Sequence, residues 1–238
     1  ERGLFEGPRL FIAAFPISQT GGHADMRPKG VRSREMFCAC AGLGLVGAIA
    51  DGVGEVRRAV REQVRNGANQ IKIMAGGGVS SPSDPLEGTQ FSMDELRAAC
   101  EEAEAANLYA MAHAYSPRAV ARAVQAGVRS IEHASYLDDE GIALMKKHGT
   151  WLVADVYNGD YIEEVGTRDK WPEEIMRKNR GVLKDLKAVT CHDMLTVLKT
   201  VDQDLLKAAV AGERFQEYFF ANATDEAIRA YVKGLVTR

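Results

Sequence analysis

Two rhythms of apolar residues run along the chain. Short, mainly apolar runs at Ile71–Ala75, Leu108–Ala114 and Ile131–Ala134 predict buried strands, because such runs suit a strand covered on both faces, and Trp151–Val156 reads as a further strand. Arg9–Ala14, entered through the turn Glu6-Gly7-Pro8, predicts an earlier strand, followed by a long polar loop through Ser18-Gln19-Thr20-Gly21-Gly22-His23 towards residue 35. Between the runs, apolar residues fall at helical spacing. Gly52–Asn66 places Val56, Val60 and Val64 on one face, with Gly67 just past the end. Ser92 and Glu95 form a capping box, Ser116-Pro117 starts another helix that Gly127 closes, and Asp138 or Asp139 caps one ending near Gly149. Strand and helix alternating in this way predict a parallel α/β sheet or barrel.

Beyond about residue 172 the strand rhythm stops. Val182, Leu183, Leu186 and Val189, then Leu195, Leu198, Val201, Leu205 and Ala209, continue at helical spacing, and Thr224 to Gly234 reads as a last helix. The expected organisation is therefore a barrel-like part over 1–180 and a helical segment over 181–238 packing on it.

Composition narrows the class without naming a chemistry. The chain has 238 residues, 46% hydrophobic and 26% charged, which suits a globular enzyme. Its net charge of -3 gives no electrostatic pull towards nucleic acid or an anionic membrane. No apolar stretch approaches the ~20 residues of a membrane span, and the first residues do not read as a signal peptide. Cys38, Cys40, Cys100 and Cys191 have neither zinc-ribbon nor disulfide spacing, so reduced thiols and a cytoplasmic location are expected.

The chemistry concentrates at three strand positions. Lys72 interrupts an apolar run, where its ammonium loses hydration and its pKa falls. A neutral amine there can take up carbon dioxide as an anionic carbamate, a good bridge between divalent metals. Period two puts Lys72 with Met74, Met111 with His113, and Ile131 with His133. One lysine and two imidazoles at successive strand ends read as half of a metal site for zinc or a similar ion. Taken singly, each has a plainer reading: Lys72 as a Schiff-base lysine or a cation paired with Glu132, each histidine as a core residue. His23 is either a substrate contact or a solvated loop residue. Tyr115 either hydrogen-bonds substrate or packs at the sheet's mouth.

The run QIKIMAGGGVSSPSDPLEGTQ over 70–90, Met111-Ala-His-Ala-Tyr115, Ser130-Ile-Glu-His133, Gly7-Pro8-Arg9-Leu10 and Thr20-Gly-Gly-His23 together resemble the metal-dependent amidohydrolases. The branch they are most similar to contains Xaa-Pro dipeptidases and imidazolonepropionase-related hydrolases. The resemblance implies a (β/α)8 TIM-type barrel with a binuclear divalent-metal site. Lys72 would be the carbamylated bridge, with His113 and His133 as ligands of one metal. The implied activity is cleavage of amide bonds in dipeptides or N-acyl amino acids.

Two family features are absent from the sequence: the His-x-His pair of the first barrel strand, and the aspartate motif that ends the last. Asp193, in Val189-Thr-Cys-His-Asp193, is the stand-in for that acid/base. About five strands are recognisable, so the barrel is expected to be incomplete. Its open edges predict a homo-oligomer. The alternative expectation is a rearranged, non-catalytic barrel that binds at most one metal or serves in assembly.

Overall fold

The computed structural model describes residues 10–27, 47–81, 84–154 and 158–188, together with Ala230 and Lys233. The chain divides into two compact units, Glu1–Val182 and Leu183–Arg238. The first holds a parallel sheet of short strands: β1 (Ile17–Ser18), β2 (Ala48–Ile49), β3 (Ile71–Met74), β4 (Ala110–Ala114), β5 (Ser130–His133) and β6 (Trp151–Val153). Their order is β2-β1-β3-β4-β5-β6, with every neighbouring pair parallel. Helices α1 (Val53–Arg65), α2 (Met93–Ala105), α3 (Pro117–Ala126) and α4 (Asp139–His148) connect successive strands, and α5 (Asn158–Arg168) and α6 (Glu173–Ala188) follow β6. This is the expected α/β architecture, a partial barrel with six described strands.

The helix signals work as read. The Ser92 side chain accepts from the Glu95 amide while the Glu95 carboxylate accepts from the Ser92 amide, closing the capping box of α2. Ser116 caps α3 with Pro117 in its first turn, and Gly127 ends it in the left-handed conformation at φ 103°. Asp138 caps α4, and Lys146, Lys147 and His148 sit in its last turn, where cations suit the helix dipole.

The core lies between the helices and one face of the sheet. Ile71, Ile73 and Ile131 are fully buried there with Val56, Val60, Leu96, Ala99, Val120 and Val124. Alanines at 110, 112 and 114 keep that face of β4 flat, so α2 and α3 both pack on it. Fully burying an isoleucine or leucine contributes roughly 1.5–3 kcal/mol, so this layer dominates stability.

Two expectations are corrected. The predicted strand Arg9–Ala14 is not one: Leu10–Ala14 carries no strand pairing, and Leu10 and Phe11 are 72% and 61% exposed. The segment is instead tied to the turn before β3, by Ile12 and Asn69 exchanging hydrogen bonds of 3.0 and 2.7 Å. A positive φ of 54° at Ala14 then turns the chain into β1, inside what reads from sequence as loop. The second correction is the strand count, which β2 raises to six. Strands of two residues carry too little periodicity to be seen, because their pairing is decided by distant partners such as Ile73 and Ala48. No helix among the described residues is long and apolar enough to cross a membrane.

Candidate active site

Register decides which side chains meet on the face away from the helices. Lys72 pairs with Met111, and Met74 with His113. Lys72 thus starts two residues below the level of His113 rather than at the strand's end. That rise of about 6.6 Å is within the reach of its four-carbon stem. It is half-buried, and its charge disfavours protonation of both His23 and His113.

His133 does not follow the alternation. Its register partner is Ala114, a core residue on the helix-covered face, and Ile131 two residues earlier is fully buried there. Periodicity would send the His133 ring into that core. Instead His133 and Ala134 adopt φ of 72° and 50°, a left-handed pair that ends β5 and breaks the two-residue rhythm. The imidazole consequently lies edge-on to that of His113, with ring centroids 4.6 Å apart. Ala134 N then donates to the Ala114 carbonyl at 3.0 Å, fixing the bent end back onto β4.

Four rings make one cluster. His23 stacks on His113 at 4.2 Å, His133 stacks on Tyr115 at 5.3 Å, and Tyr115 lies 5.2 Å from His113. His23, His113, Tyr115 and His133, up to 110 positions apart in sequence, are thereby brought together. His23 is 9% exposed, so it is no solvated loop residue.

The glycine-rich loop after β3 sets the imidazoles' protons. His113 Nε2 lies 2.9 Å from the Gly77 carbonyl, which can only accept. Nε2 therefore carries the proton and Nδ1 keeps its lone pair. His23 Nδ1 lies 2.8 Å from Ser81 Oγ, while the Ser81 hydroxyl donates to the Asp84 carboxylate. Having given its one proton to Asp84, Ser81 accepts from Nδ1, and Nε2 is the lone-pair nitrogen of His23. Asp84 also accepts from the Gly78 amide at 2.8 Å, and Gln90 Oε1 accepts from His23 N at 2.9 Å. Only glycine fits beside these rings: a Cβ at 78 would strike the His23 ring, and one at 77 the Pro85 carbonyl. Ser81 is fully buried and holds a histidine and a carboxylate already, so it does not serve as a nucleophile.

Burial keeps both imidazoles neutral. It is the chief cause that lowers His23 to about 4, with His133, Lys178 and Lys72 adding to it and Asp84 opposing. His113 is held well below its ordinary range, again first by burial, then by His23 and His133. Neutral imidazoles with a free lone pair are what a zinc-like ion requires. Among the described residues no group of three or more His, Cys, Asp or Glu is arranged around one point as a metal site. His113 and His133, with ring centroids 4.6 Å apart, are the pair that could hold such an ion.

Sequence reasoning missed Ser81, Asp84, Gln90, the Gly77 carbonyl and Lys178. For Lys178 a signal existed: Ile175, Lys178, Asn179 and Val182 share the inward helical spacing, and Lys178 and Asn179 are polar residues buried on that face. Asp193, the acid/base named from sequence, lies outside the described residues, as do Cys38, Cys40 and, apart from Ala230 and Lys233, the helices expected beyond residue 188.

Known proteins resemble this chain along most of its described length. The ochratoxinase of Aspergillus niger is 42% identical over 158 residues, which are 64% of this chain and 33% of that protein. A solved prolidase complexed with N-methylphosphonate-L-proline is 46% identical, with a TM-score of 0.73 over 79% of this chain and 46% of that one. A Xaa-Pro dipeptidase with bound methionine in its active site is 32% identical, with a TM-score of 0.67 over 79% and 45%. The chain therefore spans about a third of the length of the curated ochratoxinase and under half of each structural neighbour. Residues 189–235 match a family model described as ribose-5-phosphate isomerase.

Proposed function

We propose, from the premise that this chain matches the amidohydrolase superfamily in sequence and fold, that it serves in metal-dependent hydrolysis of amide bonds. The observation that carries this reading is the cluster of His113 and His133 beside Tyr115 and His23 at the ends of parallel strands. Strand C-termini are where barrels of this kind keep their chemistry. His113, through Nδ1, and His133 would hold one divalent ion, most simply zinc. Lys72, carbamylated by carbon dioxide, would bridge it to a second. Bound there, such ions activate a water and polarise a carbonyl.

The rest falls to the chain's own side chains. The Tyr115 hydroxyl donates to the carbonyl oxygen of the scissile amide as negative charge builds on it. His23 Nε2, neutral and fixed by Ser81, accepts a hydrogen bond from the substrate and orients it. The buried aromatic walls exclude bulk water from the reacting bond. Asp193 is the proposed proton carrier. Dipeptides and N-acyl amino acids are the proposed substrates, in keeping with a prolidase and an ochratoxinase among the relatives.

The test is metal content after reconstitution with zinc and bicarbonate, run beside hydrolysis of Xaa-Pro dipeptides and N-acyl amino acids. Bound metal that falls in His113→Ala and His133→Ala, and falls further in Lys72→Ala, is the expected result. A folded protein that takes up no metal in any form would leave the non-catalytic barrel as the better reading.

A further inference from the structure

Lys178, on α6, is 7% exposed. Its ammonium donates to three backbone carbonyls, those of Gly78 at 3.3 Å, Ser81 at 2.8 Å and Asp84 at 2.5 Å. A lysine ammonium has three N–H groups, so all three are matched. Every acceptor belongs to the loop after β3. That loop also presents the Gly77 carbonyl to His113, and Ser81 with Asp84 to His23. Its carbonyls converge on one point although backbone carbonyls repel one another when left unpaired. A positive charge at that point is what makes such a loop shape stable. We infer that Lys178 is a positioning residue, a tethered cation around which the Gly77–Ser81 and Asp84–Gln90 segments are folded, and that it fixes the tautomers of His113 and His23 through them.

The structural half of this inference stands alone; only its effect on rate rests on the hydrolase reading. The cradle has a specific chemical signature. Lys178→Ala empties it, and a small primary ammonium ion supplies the same three donors, whereas tetramethylammonium carries the same charge without any. The ring nitrogens of His23 and His113, followed by 15N NMR in the full chain, report the tautomers directly.

In Lys178→Ala, His113 is expected to leave the single Nε2–H form for a mixture. Added ethylammonium restores the original pattern with saturation, tetramethylammonium does not, and the unsubstituted protein responds to neither. Turnover follows the same course: kcat falls about 10²-fold, as for a misplaced reacting group, with KM changing far less, and ethylammonium restores it. Lys178→Met keeps the stem's packing without the donors and guards against a variant that fails to fold; it is expected to show the same ring shift. Ring nitrogens unchanged in folded Lys178→Met or Lys178→Ala overturn the inference, as does ethylammonium that raises stability and leaves the rings mixed. A protein that shows the ring shift and its rescue, yet turns over no amide in any form, refutes the hydrolase reading and leaves this one standing.

Discussion

On the helix-covered face of the sheet, Ile71, Ile73 and Ile131 need only be apolar and of the right size, and their neighbours Val56, Leu96 and Val120 ask the same of them. On the opposite face, His113 and His23 each have a ring nitrogen held by a particular oxygen, and their packing tolerates no side chain at Gly78. The first face is redundant, since many contacts share the load. The second is a chain of single dependencies, from Lys178 to the loop, from the loop to the rings. A substitution on the first face should therefore lower stability and spare the site, whereas one on the second should disturb the site more than the fold.

The largest stability effect is expected from Ile73→Ala, a fully buried side chain with no polar role. It should cost roughly 2–5 kcal/mol in urea unfolding. The 15N pattern of His113 should stay as it was, and a changed pattern would mean that the two faces are not independent.

Acid comes next. His23 titrates at about 4 in the folded protein against 6.5 for an ordinary histidine, so between these values the unfolded chain binds more protons. Stability of the metal-free protein should be full above pH 6.5 and fall as pH drops through that window, by about 3 kcal/mol from His23. His113 is shifted in the same direction and adds to the slope. His23→Gln should flatten the curve of urea stability against pH. An unaltered slope would mean that this ring is not the buried neutral group described.

Gly78→Ala is expected to be the mildest for the fold, about 1–3 kcal/mol from overpacking against the His23 ring. Hydrogen exchange separates its effects: amides of the loop at 77–81 should lose protection while those of α2 keep theirs. Equal loss in both would merge the two faces into one cooperative unit.

That contrast also explains what could be read from sequence. Helix limits were legible at Ser92, Ser116, Asp138, Gly127 and Gly149, because capping is local chemistry. β3, β4 and β5 were legible as apolar runs, and Lys72 and His113 as polar interruptions within them. β1 and β2 were not, being two residues each and defined by partners far along the chain. Arg9–Ala14 misled because an apolar run does not ensure burial. His133 was identified for its residue type, but the period-two reading paired it with Ile131, and only the backbone at its own position brings it to the site. Ser81, Asp84 and Lys178 were invisible as a set, since their hydrogen bonds join positions up to 100 residues apart.

The left-handed pair at the end of β5 puts two neighbouring codons under opposed demands. L-residues in that conformation each carry strain of roughly 1–3 kcal/mol, and glycine at 134 would release one share while giving up a single methyl. Variants screened for heat resistance should thus drift to glycine at 134, while position 133, whose strain aims its imidazole, can be relaxed only by discarding the ring. A thermostability library and a turnover library drawn from this gene should agree almost everywhere in the helical layer and part company at these two residues.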